Sequence, residues 1–182
     1  MLAIETQRLI LRDWTLADSK SAQEYAACPE VCKFMVWGPN SDSETRDFIR
    51  RSIDLSKERP RQSFELAMVL KDENVVAGGI GLHINDRANQ SAMIGYVLNR
   101  NYWGQGLVTE AARRLLELGF GELSLHRICA TCDAENVGSQ RVLEKCGMRR
   151  EAHYKQDMLI KGQWRDSFFY AILQEEWQAA HF

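Results

Sequence analysis

The chain has no excess of charge, no long apolar run and no repeated segment, and each absence removes a class of function. Its formal net charge is −2 over 182 residues, so no overall basic field invites nucleic acid or an anionic membrane. Any anion site must therefore be local. No segment approaches the ~20 apolar residues needed to span a bilayer. The start, MLAIETQRLILRDW, has no apolar run long enough for a signal peptide and is interrupted by Arg8, Arg12 and Asp13. These features read as a cytoplasmic protein. With no repeat, low-complexity tract or Gly/Ser linker, residues 1–182 read as a single domain, long enough to bury a core. The five cysteines (Cys28, Cys32, Cys129, Cys132 and Cys146) form no disulfide framework. CATC at 129–132 has the look of a redox or zinc pair. In a strand, however, residues three apart point to opposite faces, and no second pair or histidine stands at ligand spacing. Buried free thiols and no metal are the expectation.

What is present is a mixed α/β pattern. RLILRDW alternates as a first strand does. Thr15 with Asp18, and Ser41 with Glu44, each have the spacing of a capping box before a helix, the second placing Phe48, Ile49 and Ile53 on one face. SFELAMVL and VVAGGIGLHI are β-rich runs split by KDEN, a hairpin signal, and SAMIGYVL is a further strand. A helix follows with a stripe of Leu107, Ala111, Leu115 and Leu118. HRICATC reads as a strand, NVGSQRVLEKCGM as a short helix ending at Gly147, and AHYKQDMLI and SFFYAIL as strands around a turn at Lys161-Gly162.

Between the strand SAMIGYVL and its helix lies NRNYWGQG, with glycines at 104 and 106. A helix N-terminus presents unpaired amides and about half a positive charge, which stabilises phosphate. Glycine lets the backbone approach a ligand and take angles a side chain forbids. A lone Gly-x-Gly is more often only a tight turn.

This one has company. GYVLNRNYWGQGLVTEAARRLLELGF, followed by RICATCDAENVGSQRVLEKCGM, resembles the acetyl-CoA-binding half of the GNAT acetyltransferases. TQRLILRDWTLAD and GQWRDSFFYAIL look like their Rim-type branch (RimJ/RimL-like), which acetylates ribosomal-protein N-termini. The resemblance implies an α+β GNAT fold: a central, mostly antiparallel sheet flanked by helices and splayed open at strand 91–98. It implies acetyl-CoA as cosubstrate, its pantetheine lying along the backbone of Tyr96, Val97 and Leu98. The pyrophosphate would rest on Gly104, Gln105, Gly106, Leu107, Val108 and Thr109, with Asn136 bonding a pantetheine amide. One departure is Asn101, where the family often carries Gln or Arg; Arg100 is the neighbouring cation. Asparagine at 136 is also a good helix N-cap, and the two roles coexist.

Acetyl transfer to an amine needs a neutral nucleophile, donors for the developing oxyanion, and a proton for the departing thiolate. Backbone amides around Val97 and Leu98 are the expected oxyanion donors. The tyrosine that many family members place seven residues after the asparagine is Leu143 here, and Ser139 is the candidate proton donor in its stead. Both positions where members of the family carry a glutamate base hold methionine, Met93 and Met158, the latter beside Asp157. Glu65, His83 and Tyr154 remain as candidates. The expected function is N-acetyl transfer to a protein α-amine. A small-molecule amine acetyltransferase and a CoA-binding module without catalysis are the alternatives, and a homodimer is left open.

Overall fold

The computed structural model describes residues 2–181. Eight strands form one sheet: β1 (Ala3–Glu5), β2 (Leu9–Asp13), β3 (Ser63–Leu70), β4 (Val75–Asp86), β5 (Ser91–Leu98), β6 (Arg127–Asp133), β7 (Arg149–Ile160) and β8 (Gln163–Leu173). Six helices accompany them: α1 (Ser19–Ala26), α2 (Pro29–Cys32), α3 (Asp42–Lys57), α4 (Leu107–Gly121), α5 (Val137–Lys145) and α6 (Gln174–His181). The strand order is β1-β2-β3-β4-β5-β6-β8-β7, and every pairing is antiparallel except β5 with β6.

Local chemistry accounts for most boundaries. The Ser41–Glu44 capping box is formed, with the Glu44 carboxylate 2.7 Å from the Ser41 amide, and α3 starts at the next residue. At the other capping box, Asp18 receives the Thr15 amide at 2.7 Å and a two-pronged Arg12 contact at 2.7 and 2.8 Å. There the first turn, Leu16–Asp18, is a tighter 3₁₀ turn and α1 begins at Ser19. Lys161 and Gly162 both have positive φ between the paired Ile160 and Gln163, the geometry of a two-residue type I′ hairpin. Gly147, with φ 81°, ends α5 as its cap. β1, α2 and α6 escape the sequence reading. They are three, four and eight residues long, and α6 carries little beyond Trp177 as an apolar anchor.

Each face of the sheet has its own core. Leu82, Ile94 and Ile128 pack under α4 and α5 with Leu115, Leu116 and Leu143, and Trp177 of α6 stacks near Phe120. On the other face Trp14 and Ala67 pack with Tyr25 of α1 and Ile49 of α3. These are the α4 face and the α1/α3 face of the sheet. Cys32, Cys129, Cys132 and Cys146 are buried and all five thiols are free.

One discontinuity matters for function. β5 and β6 pair only from Ser91 with Arg127 to Met93 with Cys129. Beyond that point β5 stays with β4 as far as Leu98, and β6 stays with β8 as far as Asp133. The sheet therefore opens like a V, and residues 94–98 have no strand partner on the β6 side.

Candidate active site

β5 leads from the V through a 3₁₀ turn, Arg100–Tyr102, into the glycine turn. Gly104 and Gly106 have φ 75° and 79°, left-handed angles that side chains rarely adopt. Gly106 is the N-cap of α4, and open space stands where a Cβ on Gly104 would lie. The turn is held from both sides. Trp103 Nε1 donates to the Leu98 carbonyl at 2.9 Å, and Arg8 Nη1 donates to the Gln105 carbonyl at 2.9 Å. Arg8 also grips Glu110 in the first turn of α4, at 2.8 Å. Burial opposes the Glu110 charge, but bonds from Thr6 and Arg8 outweigh it and hold the carboxyl below the usual range. Arg8 is a cation at the turn that the sequence reading passes over. Arg100, by contrast, turns away to Glu30 at 2.8 Å, and Asn101 is exposed. A groove of about 1020 Å³ continues from Gly106 and Thr109 along the outer side of α4, past Arg113, Arg114 and Lys145.

Across the V, Asn136 caps α5 by accepting the Ser139 amide on Oδ1 at 3.1 Å, which leaves its Nδ2 as a donor. The cap puts Ser139 on the inner side of the helix. Its hydroxyl lies 2.8 Å from the Tyr96 hydroxyl on β5 and in hydrogen-bonding reach of Cys132. Burial pushes the Tyr96 phenol up, against the opposing bond from Ser139, so it stays protonated. Burial likewise pushes the Cys132 thiol up to about 11, so it is no thiolate at neutral pH. The family resemblance implies Tyr96 as a cofactor residue through its backbone; that its side chain reaches Ser139 depends on the facing of β5 and α5. Leu143 is buried in the core one turn further on.

The α1/α3 face carries the Glu65 and His83 candidates. His83 Nε2 is 2.5 Å from Glu65 Oε1, and His83 Nδ1 is 3.3 Å from Ser63 Oγ. The bond to Glu65 raises the histidine pKa, with burial opposing it. A Cβ on Gly81 would collide with both partners, so that glycine makes room for the pair. Tyr154 is not brought to them. It lies on β7, beyond β5, β6 and β8, half-exposed against Phe169. Met158 and Asp157 are exposed on the same outer strand. Lys161, at the hairpin tip, donates to the carbonyls of Met35 and Trp37 at 3.2 and 3.3 Å, tying the hairpin to the loop after α2. Among the described residues, no three His, Cys, Asp or Glu side chains are grouped to hold a metal ion.

A V-shaped gap in the sheet, ending at a glycine-capped helix N-terminus, is the architecture of an acyl-CoA-dependent transferase. The chain belongs to the GNAT family: residues 8–149 match the acetyltransferase (GNAT) domain. It is an acyltransferase, an N-acetyltransferase, and the fold implies acetyl-CoA as its cosubstrate. The chain is similar to the N-acetyltransferase YnaD of Bacillus subtilis, at 35% identity over 96% of this chain and 98% of that one. It also resembles a GNAT-family acetyltransferase structure from Bacillus anthracis, at 34% identity and TM-score 0.85, covering 96% of this chain and 99% of that one. Two matches with defined substrates differ in kind. The ribosomal-protein α-N-acetyltransferase RimL, in complex with coenzyme A, has TM-score 0.85 at 20% identity, covering 94% of this chain and 98% of that one, a likeness of fold. Spermidine N(1)-acetyltransferase of Escherichia coli is 26% identical over 70% of this chain and 69% of that one.

Proposed function

We propose that the protein moves the acetyl group of acetyl-CoA to an α-amine at a polypeptide N-terminus, as Rim-type enzymes do to ribosomal proteins. The observation that carries the cofactor half is the gap between β5 and β6 with the glycine turn at its end. The residues fit the group: β5 has no strand partner over 94–98 on the β6 side, Gly106 caps α4, whose first amides have no partner within the helix, and space is open beside Gly104. The backbone of Tyr96, Val97 and Leu98 pairs with the pantetheine as an added strand would. Gly104, Gln105, Gly106, Leu107, Val108 and Thr109 hold the pyrophosphate, and Asn136 Nδ2 donates to a pantetheine amide. Asn101 lies at the rim of the turn, and the amides bear the phosphate binding without a long side chain from that position.

Acetyl-CoA supplies an activated acyl carbon and a thiolate leaving group. Amides near Val97 and Leu98 face the developing oxyanion. The Ser139 hydroxyl, held by Tyr96, hydrogen-bonds the departing sulfur and delivers its proton, with solvent replacing it. Ser139 on the α4 face and the His83–Glu65 pair on the α1/α3 face thus flank the V from opposite sides of the sheet. That division suits a reaction in which sulfur leaves on one side and an amine enters on the other.

The proposal on the acceptor rests on the Rim-like ends of the sequence and on the missing glutamates. A panel tests it: N-terminal peptides, lysine peptides with blocked N-termini, spermidine and an aminoglycoside, followed by CoA release. Preferential turnover of free N-termini is expected. Preferential turnover of spermidine would assign the site to small amines.

A further inference from the structure

Two adjacent rows cross the α1/α3 face of the sheet. One runs Ser63, His83, Met93, and the other runs Glu65, Gly81, Gly95. Met93 occupies a position where the GNAT resemblance implies a glutamate base. In the neighbouring row Glu65 reaches from β3 across Gly81, so its carboxylate stands over β4 with one oxygen bonded to His83. Gly95 is the next residue in that row and lies just past the last β5–β6 pair. Its φ is not positive, and nothing lies within 4 Å of where its Cβ would be, so neither backbone strain nor packing explains the glycine. The register with β4 runs unbroken through Gly95, so no bulge explains it either, and close approach by a ligand is the remaining use of a strand-interior glycine.

We propose that this corner is the acceptor-amine site, with Gly95 as its floor and Glu65 as the base, a carboxylate supplied from the next row in place of the one absent at 93. This rests on the acetyl-transfer reading above. The amine nitrogen bonds to the acetyl carbon, the carbon–sulfur bond breaks, and its electron pair leaves with sulfur. The amine proton passes to the Glu65 oxygen that His83 does not occupy and then to water. His83 is the positioning residue: it fixes the carboxylate over Gly81 and sets the charge it feels. Tyr25 stands near Glu65 from α1, raised by burial and by the Glu65 charge, and the Arg61–Asp13 pair lies beyond Ser63. Met93, the β5 neighbour of His83, carries no charge.

The pH sign follows from the pair. Protonated His83 holds the carboxylate in an ion pair, so activity falls as pH drops through the histidine pKa, which Glu65 raises above the ordinary ~6.5. The test uses whichever amine the wild type turns over fastest, so that failure of a peptide substrate counts against the α-amine reading alone. Glu65→Gln should lower kcat by about 10²- to 10⁴-fold, with acetyl-CoA affinity within about threefold. His83→Asn, which keeps a donor for Glu65, should retain more activity than Glu65→Gln and lose the histidine limb of the pH profile. Gly95→Val should raise the amine KM at least about tenfold while calorimetry finds acetyl-CoA binding intact. A folded Glu65→Gln with wild-type kcat, when chemistry limits the rate, overturns the base; an unchanged amine KM in Gly95→Val overturns the floor.

Discussion

At the scale of single residues, Ser139 combines two tasks within one helical turn. Its amide closes the Asn136 cap and its hydroxyl meets Tyr96. Removing the hydroxyl leaves the cap intact, because the cap uses the backbone. Ser139→Ala should therefore lower kcat by roughly tenfold to a thousandfold, with little change in acetyl-CoA affinity. Single-turnover kinetics, in which acetyl transfer is seen directly, checks this. An unchanged transfer rate would reduce Ser139 to a capping position. Ser139 was singled out through the family resemblance; its partner was not, because Tyr96 lies 43 residues away on another element. The Glu65–His83 contact was hidden for a sharper reason. The pairs Leu70–Val75 and Val69–Val76 would, if continued straight, set Glu65 opposite Ile80 and turn His83 to the other face. One extra residue on β4, Ala77, between the Val69–Val76 and Met68–Gly78 pairs shifts the register so that Glu65 meets Gly81 and Ser63 meets His83. Nothing in the sequence announces that bulge.

At the scale of elements, the β5–turn–α4 unit is where sequence and structure agree most closely. SAMIGYVL matches β5 residue for residue, because the run is bounded by turn-formers on one side and Asn99 on the other. The two glycines take the backbone angles expected of them, both left-handed, one of them the N-cap. Valine at either would have to adopt an angle that its branched side chain resists, and would place methyl groups where phosphate approaches. Gly104→Val and Gly106→Val should abolish acetyl-CoA binding in calorimetry, with circular dichroism unchanged. Undiminished affinity in a folded variant would remove the pyrophosphate from this turn. What escaped the sequence at this scale is how short pieces are used: the loop after α2 is held by Lys161 from the far hairpin, a contact spanning more than 120 residues.

For the whole molecule, the net charge of −2 supplies no field for steering a particular substrate, so selection falls to the site. The two amine classes differ in the demand they place on it. An α-amine, pKa about 7.7 to 8, is roughly 10–15% neutral at pH 7, whereas a lysine near 10.4 is only about 0.04% neutral. The difference, about 2.5 units, is roughly 3.5 kcal/mol of deprotonation that a lysine-modifying enzyme must offset. A single carboxylate bonded to a half-exposed histidine, the base proposed above, suits the smaller demand. The most direct measurement compares two peptides of one sequence at pH 7, one with a free N-terminus and an acetylated lysine, the other with a blocked N-terminus and a free lysine. A kcat/KM at least about tenfold higher for the free N-terminus is the predicted result; a higher value for the free lysine would contradict the account.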